Sequence, residues 1–108
     1  MLIRQGLLDK GGVVKIQDYP GYLPYCVLVI DELAQLAPKF AADNTEKAIR
    51  QEAQGCLTDI LALARALGIH VILGTQGAYR DILPGEMKVN IPARLAFRCA
   101  SPEGSEII

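Results

Sequence analysis

A chain of 108 residues, 51% hydrophobic and 21% charged, has material for one small packed core, which excludes both a two-domain protein and a disordered one. A formal charge of -1 and a pI near 5.7 exclude attraction of the whole molecule to nucleic acid and leave room only for a local patch. The longest apolar run is far short of the roughly 20 residues a membrane span requires, and Met1 begins no signal-like segment. The chain is therefore expected to be cytoplasmic and to make no membrane contact. Cys26, Cys56 and Cys99 are widely spaced in apolar surroundings without metal-knuckle or redox spacing, and are expected to be reduced core thiols.

In chain order, residues 1–24 come first, expected to form a hairpin and connector ahead of the body at 25–108. Leu7-Leu8-Asp9-Lys10-Gly11-Gly12-Val13-Val14 predicts a short hairpin about the glycine pair. The proline- and glycine-containing stretch from Asp18 to Pro24 predicts a connector. Tyr25-Cys26-Val27-Leu28-Val29-Ile30 is a continuous apolar, β-branched run ending in Asp31-Glu32, the pattern of a central parallel strand buried on both faces.

A long helix is predicted next. Asp43 and Glu46 stand at capping-box spacing. Ile49, Ala53, Cys56, Ile60, Ala64 and Leu67 form the expected buried stripe, with Lys47, Gln51, Gln54, Thr58 and Arg65 on the other side. Gly68 is placed to stop the helix, and Gly55 weakens its middle by about 1 kcal/mol relative to alanine. Ile69-His70-Val71-Ile72-Leu73-Gly74 predicts a second buried strand leading into Thr75-Gln76. A helical turn before Asn90 and a third strand, Arg94-Leu95-Ala96-Phe97-Arg98-Cys99, complete the reading. Strand, helix, strand makes a βαβ unit, so the fold class is α/β with a mainly parallel sheet, flanking helices and a right-handed crossover.

Two polar pairs thus end neighbouring parallel strands, on the edge where α/β proteins hold phosphate ligands. A carboxylate at Asp31 would hold magnesium through water, and Glu32 would orient an attacking water; equally, two acids after a strand would simply cap the segment beyond it. The amide of Gln76, beside Thr75, would sense a terminal phosphate, or the pair would be an ordinary polar strand exit. Arg65 near the helix end complements the helix dipole by about 0.3–1 kcal/mol, or reaches a neighbouring subunit's nucleotide. His70 has no partner at ligand spacing and reads as structural. No G-x-x-x-x-G-K-[ST] phosphate loop occurs, nor a Ser-His-Asp set or a dinucleotide-binding glycine fingerprint.

Three blocks carry a resemblance: Leu23-Pro24-Tyr25-Cys26-Val27-Leu28-Val29-Ile30-Asp31-Glu32-Leu33-Ala34-Gln35-Leu36, then Ala64-Arg65-Ala66-Leu67-Gly68-Ile69-His70-Val71-Ile72-Leu73-Gly74-Thr75-Gln76, then Asn90-Ile91-Pro92-Ala93-Arg94-Leu95-Ala96-Phe97-Arg98. In order and spacing they resemble the FtsK/SpoIIIE family of DNA translocases. The resemblance implies the C-terminal half of a RecA-like P-loop NTPase core, with the Walker A half absent. It places Asp31 as the Walker B magnesium aspartate, Glu32 as the catalytic glutamate, Gln76 as the sensor glutamine beside Thr75, and Arg65 as a finger acting in trans. It also implies ATP and magnesium as cofactors, a hexameric ring and double-stranded DNA as partners. Without a phosphate loop, the chain alone is expected neither to bind ATP tightly nor to hydrolyse it. Gly77-Ala78 stand where the family has Arg-Pro, and residues 101–106 replace a serine-rich, basic stretch. The cores of conjugative coupling proteins and type VII secretion ATPases are siblings of this one, and a non-catalytic partner-binding module is the alternative reading. A receiver domain is excluded because the second strand ends without an aspartate.

Overall fold

The computed structural model describes residues 1–76, 82 and 84–97. Helix α1 (Leu2–Lys10) is followed by a 3-10 turn (Ile16–Asp18), strand β1 (Cys26–Ile30), two further 3-10 turns (Leu33–Leu36 and Pro38–Phe40), helix α2 (Asn44–Leu63), strand β2 (Ile69–Leu73) and the short helix α3 (Gly85–Lys88).

The predicted parallel sheet is present. β1 and β2 pair in parallel from Cys26↔Ile69 to Ile30↔Leu73, so their C-terminal ends lie side by side. One face of the pair, carrying Leu28, Ile30, Val71 and Leu73, packs on a core of Leu33, Ala37, Leu57, Ile82 and Met87. The other face is not buried as expected. Val27 and Val29 are each 62% exposed and Ile72 is 57% exposed. The physical reason is that α2 and the turns that pack with it supply a layer to one side only.

The N-terminal hairpin is replaced by a helix. Leu2, Arg4, Gln5, Leu7, Leu8 and Lys10 are good helix formers and outweigh Gly6 in the middle, and the glycine pair ends the helix instead of turning a hairpin. Val13 N–H donates to Leu8 O at 3.0 Å and Gly12 N–H to Asp9 O at 3.1 Å, with Gly12 at φ +70°. That is a Schellman termination, for which glycine is the favoured residue. Arg4 then ties α1 to the strand ends, donating to Leu67 O at 3.1 Å, Pro24 O at 2.7 Å and Cys26 Sγ at 2.7 Å.

Helix α2 starts where the sequence places its signal, while its regular turns end at Leu63 and a turn carries the chain on to the predicted stop at Gly68. Glu46 N–H donates to Asp43 Oδ1 at 2.8 Å, and Glu46 Oε2 accepts from Ala42 N–H at 2.9 Å. The Ala42 amide first, and then the Arg50 guanidinium, hold the Glu46 carboxyl below the ordinary glutamate value of 4.5. At the far end Ile69 N–H donates to Ala64 O at 2.9 Å around Gly68 at φ +71°, a second Schellman turn. The buried stripe is rotated from the predicted one. Ala64 and Leu67 are buried, but Leu57 joins them while Ile49 and Cys56 face outward. The apolar surface of α2 is wider than the sheet face it covers, and contact with the turns at 33–40 selects one half of it.

Cys26 and Cys56 are free and exposed, not core thiols; Cys99 lies outside the described residues. The predicted third strand is also corrected. Residues 91–97 are not in a strand, with Leu95 and Phe97 exposed, and Arg98 and Cys99 lie outside the described residues. Arg94 folds this segment back on the end of α3, donating from Nη2 to Lys88 O at 2.6 Å and from Nε to Ile91 O at 3.2 Å. Pro92 meanwhile withholds an amide from any ladder.

Candidate functional site

The site forms where the two strands end. Gly74 N–H donates to Ile30 O at 2.7 Å, and Leu33 N–H to Gly74 O at 2.8 Å, so the chain leaving β1 is stitched to the chain leaving β2. A Cβ at residue 74 would stand 2.5 Å from Asp31 O, so this close approach of two backbones requires glycine.

The two acids at the end of β1 separate at once. Asp31 is exposed and its carboxylate has no hydrogen-bond partner among the described residues. Glu32 is half-buried and caps its own 3-10 turn, with Oε1 accepting from Ala34 N–H at 3.1 Å. It also accepts from the end of β2: Thr75 Oγ1 donates to Oε1 at 2.9 Å, and Gln76 N–H donates to Oε2 at 2.9 Å. The Gln76 amide first, then the Ala34 amide and Thr75 hydroxyl, hold the Glu32 carboxyl below the ordinary value of 4.5 against the opposing effect of its partial removal from water. Near neutral pH it is a carboxylate.

Of the five residues singled out from the sequence, Glu32, Thr75 and Gln76 meet through hydrogen bonds, and Asp31 stands at the same strand edge. Arg65 does not. It lies exposed in the turn before β2, and the five residues of that strand separate it from the site by roughly 16 Å. His70 is exposed and stacks on Tyr25, ring centroids 5.6 Å apart.

One contributor has no counterpart in the sequence reading. Arg50 of α2 donates to Glu46 Oε1 from Nε at 3.0 Å and Nη2 at 2.5 Å, and from Nη1 to Ala37 O at 3.3 Å and Ala34 O at 3.4 Å. It thereby fixes the peptide whose neighbouring amide holds Glu32. Its place four residues after Glu46, an i,i+4 partner, is the signal that could have found it.

As a metal site the arrangement is partial. The described residues contain no cluster of three His, Cys, Asp or Glu able to hold an ion. Asp31 offers one free, exposed carboxylate. Such a donor fits magnesium carried by phosphates, which needs only one or two protein carboxylates, and does not fit a resident ion.

No family model matches the chain. It is 39% identical over 92 residues to the DNA translocase FtsK of Oceanobacillus iheyensis, covering 85% of this chain and 11% of that protein. The FtsK of Bacillus cereus is 42% identical over 86 residues, and the DNA translocase SpoIIIE of Bacillus subtilis is 37% identical over 86 residues. The chain matches the FtsK/SpoIIIE DNA translocases. It spans about a tenth of the length of these relatives. Its fold is that of a solved conjugation coupling protein, TcpA of pCW3 in monomer form with ATPγS, at TM-score 0.89 and 31% identity, over 99% of this chain and 32% of that one. The likeness to this coupling protein supports the α/β class with a parallel sheet and flanking helices. Among the described residues no helix is long and apolar enough to cross a membrane.

Proposed function

We propose that this chain supplies the hydrolytic half of the nucleotide site of an FtsK/SpoIIIE-type, ATP-driven DNA translocase acting in the cytoplasm. The observation that carries the reading is the division of labour between the two acids: Asp31 exposed and without a hydrogen-bond partner among the described residues, Glu32 oriented by three donors, two of which join the end of β1 to the end of β2. In this reading Asp31 takes the magnesium side through water. Glu32 accepts a hydrogen bond from the attacking water and orients it. Gln76 reports on the terminal phosphate next to it. Magnesium, when bound with the nucleotide, supplies neutralisation of phosphate charge. The phosphate loop comes from polypeptide outside these residues, and the chain alone is inert. Because Arg65 lies at the opposite end of β2, its role is toward the nucleotide of a neighbouring subunit in a ring, with double-stranded DNA as the cargo.

A second reading is favoured by the match to the coupling protein over nearly the whole chain: the same half-site in a conjugative motor. The bare sheet face supports a third, a module that keeps the fold for partner binding.

Magnesium-dependent ATP binding, measured by calorimetry, tests the first reading. The chain alone is expected to give no binding. The chain joined to the preceding half of the Bacillus subtilis SpoIIIE motor is expected to bind ATP with magnesium, with Asp31→Ala removing the magnesium dependence and Glu32→Gln keeping binding while abolishing turnover. Turnover that survives Glu32→Gln would sink the assignment, and binding by neither protein would move the partner-binding reading to the front.

A further inference from the structure

The hydrogen bonds on Glu32 exceed what its local position explains. As the N-cap of a 3-10 turn it needs one donor, and the Ala34 amide provides it at 3.1 Å. The other two donors come from residues 43 and 44 positions later in the chain. Together they distribute unevenly over the carboxylate. Oε1 accepts from both the Ala34 amide and the Thr75 hydroxyl, which uses its two lone pairs. Oε2 accepts only from the Gln76 amide among the described residues, which leaves that oxygen one further acceptor position. The carboxylate is thus held by one oxygen and presented by the other, beside Gln76.

From this geometry we infer that Thr75 is a positioning residue for Glu32: its hydroxyl, spent on Oε1, fixes the carboxylate so that Oε2 is the oxygen offered to water. The inference rests on the role of Glu32 given above and deepens it. It also changes what Thr75 does. The side chain acts through Glu32, to whose Oε1 its hydroxyl donates at 2.9 Å. Two features of the strand ends make the contact dependable. Gly74 allows β2 to close on Asp31 O, and the Gly74-to-Ile30 and Leu33-to-Gly74 bonds set the spacing of the two exits. A valine at 75 would keep the β-branched shape and lose the proton.

The test uses Thr75→Val, Thr75→Ala and Thr75→Ser. In this chain, the Glu32 carboxyl carbon and the Ala34 and Gln76 amides are followed by NMR. Valine and alanine are expected to move the Glu32 carboxyl signal while the β1–β2 cross-strand contacts persist, and serine is expected to restore it. An unmoved Glu32 signal in valine and alanine, or a failure of serine to restore it, overturns the inference. The kinetic arm places these residues in the matched 86-residue segment of Bacillus subtilis SpoIIIE and measures DNA-dependent ATP turnover. Thr75→Val is expected to lower kcat about ten- to a hundredfold with KM for ATP unchanged, and Thr75→Ser to recover most of it. Full kcat in Thr75→Val together with loss of turnover in Glu32→Gln overturns the positioning role and leaves the Glu32 assignment standing. Unchanged kcat in Glu32→Gln overturns both. A Thr75→Val effect on KM alone also overturns the inference, since it would place Thr75 on the nucleotide.

Discussion

The two faces of the β1–β2 sheet are both apolar apart from His70 and meet different surroundings. Leu28, Ile30, Val71 and Leu73 rest on Leu33, Leu57, Ile82 and Met87. Val27, Val29 and Ile72, one residue out of phase, rest on nothing among the described residues and stay more than half exposed. A parallel strand that reads as apolar throughout is built to be covered twice. The difference between the faces shows that residue pattern specifies the capacity to be buried, while burial itself depends on which elements are there to do it.

The largest test of this contrast is on the packed face. Leu57→Ala is expected to lower folding stability by about 2–5 kcal/mol in urea unfolding, the cost of a core cavity; a loss below about 1 kcal/mol would mean that α2 does not organise the core. Next is Arg50→Met, which keeps much of the side chain's apolar stem and removes the donors to Glu46, Ala34 and Ala37. It is expected to lower the urea midpoint by less than Leu57→Ala does, since its acceptors are only partly buried. It should also broaden the Ala34 amide signal, linking the packed face to the site.

Acid sharpens the comparison further. Glu32 and Glu46 both have folded-state values below the ordinary 4.5. Their contribution is therefore fully present above 4.5 and is lost as pH falls through the lowered values. The urea midpoint is expected to drop on acidification below 4.5, and less steeply in Glu32→Gln; an equal slope would mean that the strand-end hydrogen bonds do not favour the carboxylate. The smallest effect belongs to the bare face, where Val29→Thr is expected to change stability by no more than about 0.5 kcal/mol. A larger loss would show that something covers this face in solution.

Much of the fold is written locally. Asp43 and Glu46 mark the start of α2, and Gly68 closes the turn after it, because capping and left-handed termination are satisfied by atoms only a few residues apart. The same local logic misleads at Gly11-Gly12, since a glycine pair serves a hairpin and a Schellman turn alike, and only the run of helix formers before it tips the balance. The stripe of α2 differs from its predicted position because its apolar surface is broad, and nothing in the helix itself says which half the turn at 33–36 will touch. Arg50 is hidden from the sequence because its acceptors at Ala34 and Ala37 are backbone oxygens, which no residue pattern displays.

The sequence alone determined that two apolar strands flank a capped helix, that they run parallel, and that Asp31, Glu32, Thr75 and Gln76 exit at one edge. Those features come from periodicity, chain reversal by a helix and the geometry of a βαβ unit. Tertiary structure alone decided which of the two acids is held by the neighbouring strand's exit, that Thr75 donates to Glu32, and that Arg65 stands at the far end of β2. Each of these depends on the register of Cys26–Ile30 against Ile69–Leu73 and on the close approach at Gly74. Such distances arise between residues more than forty positions apart, beyond the reach of any local pattern.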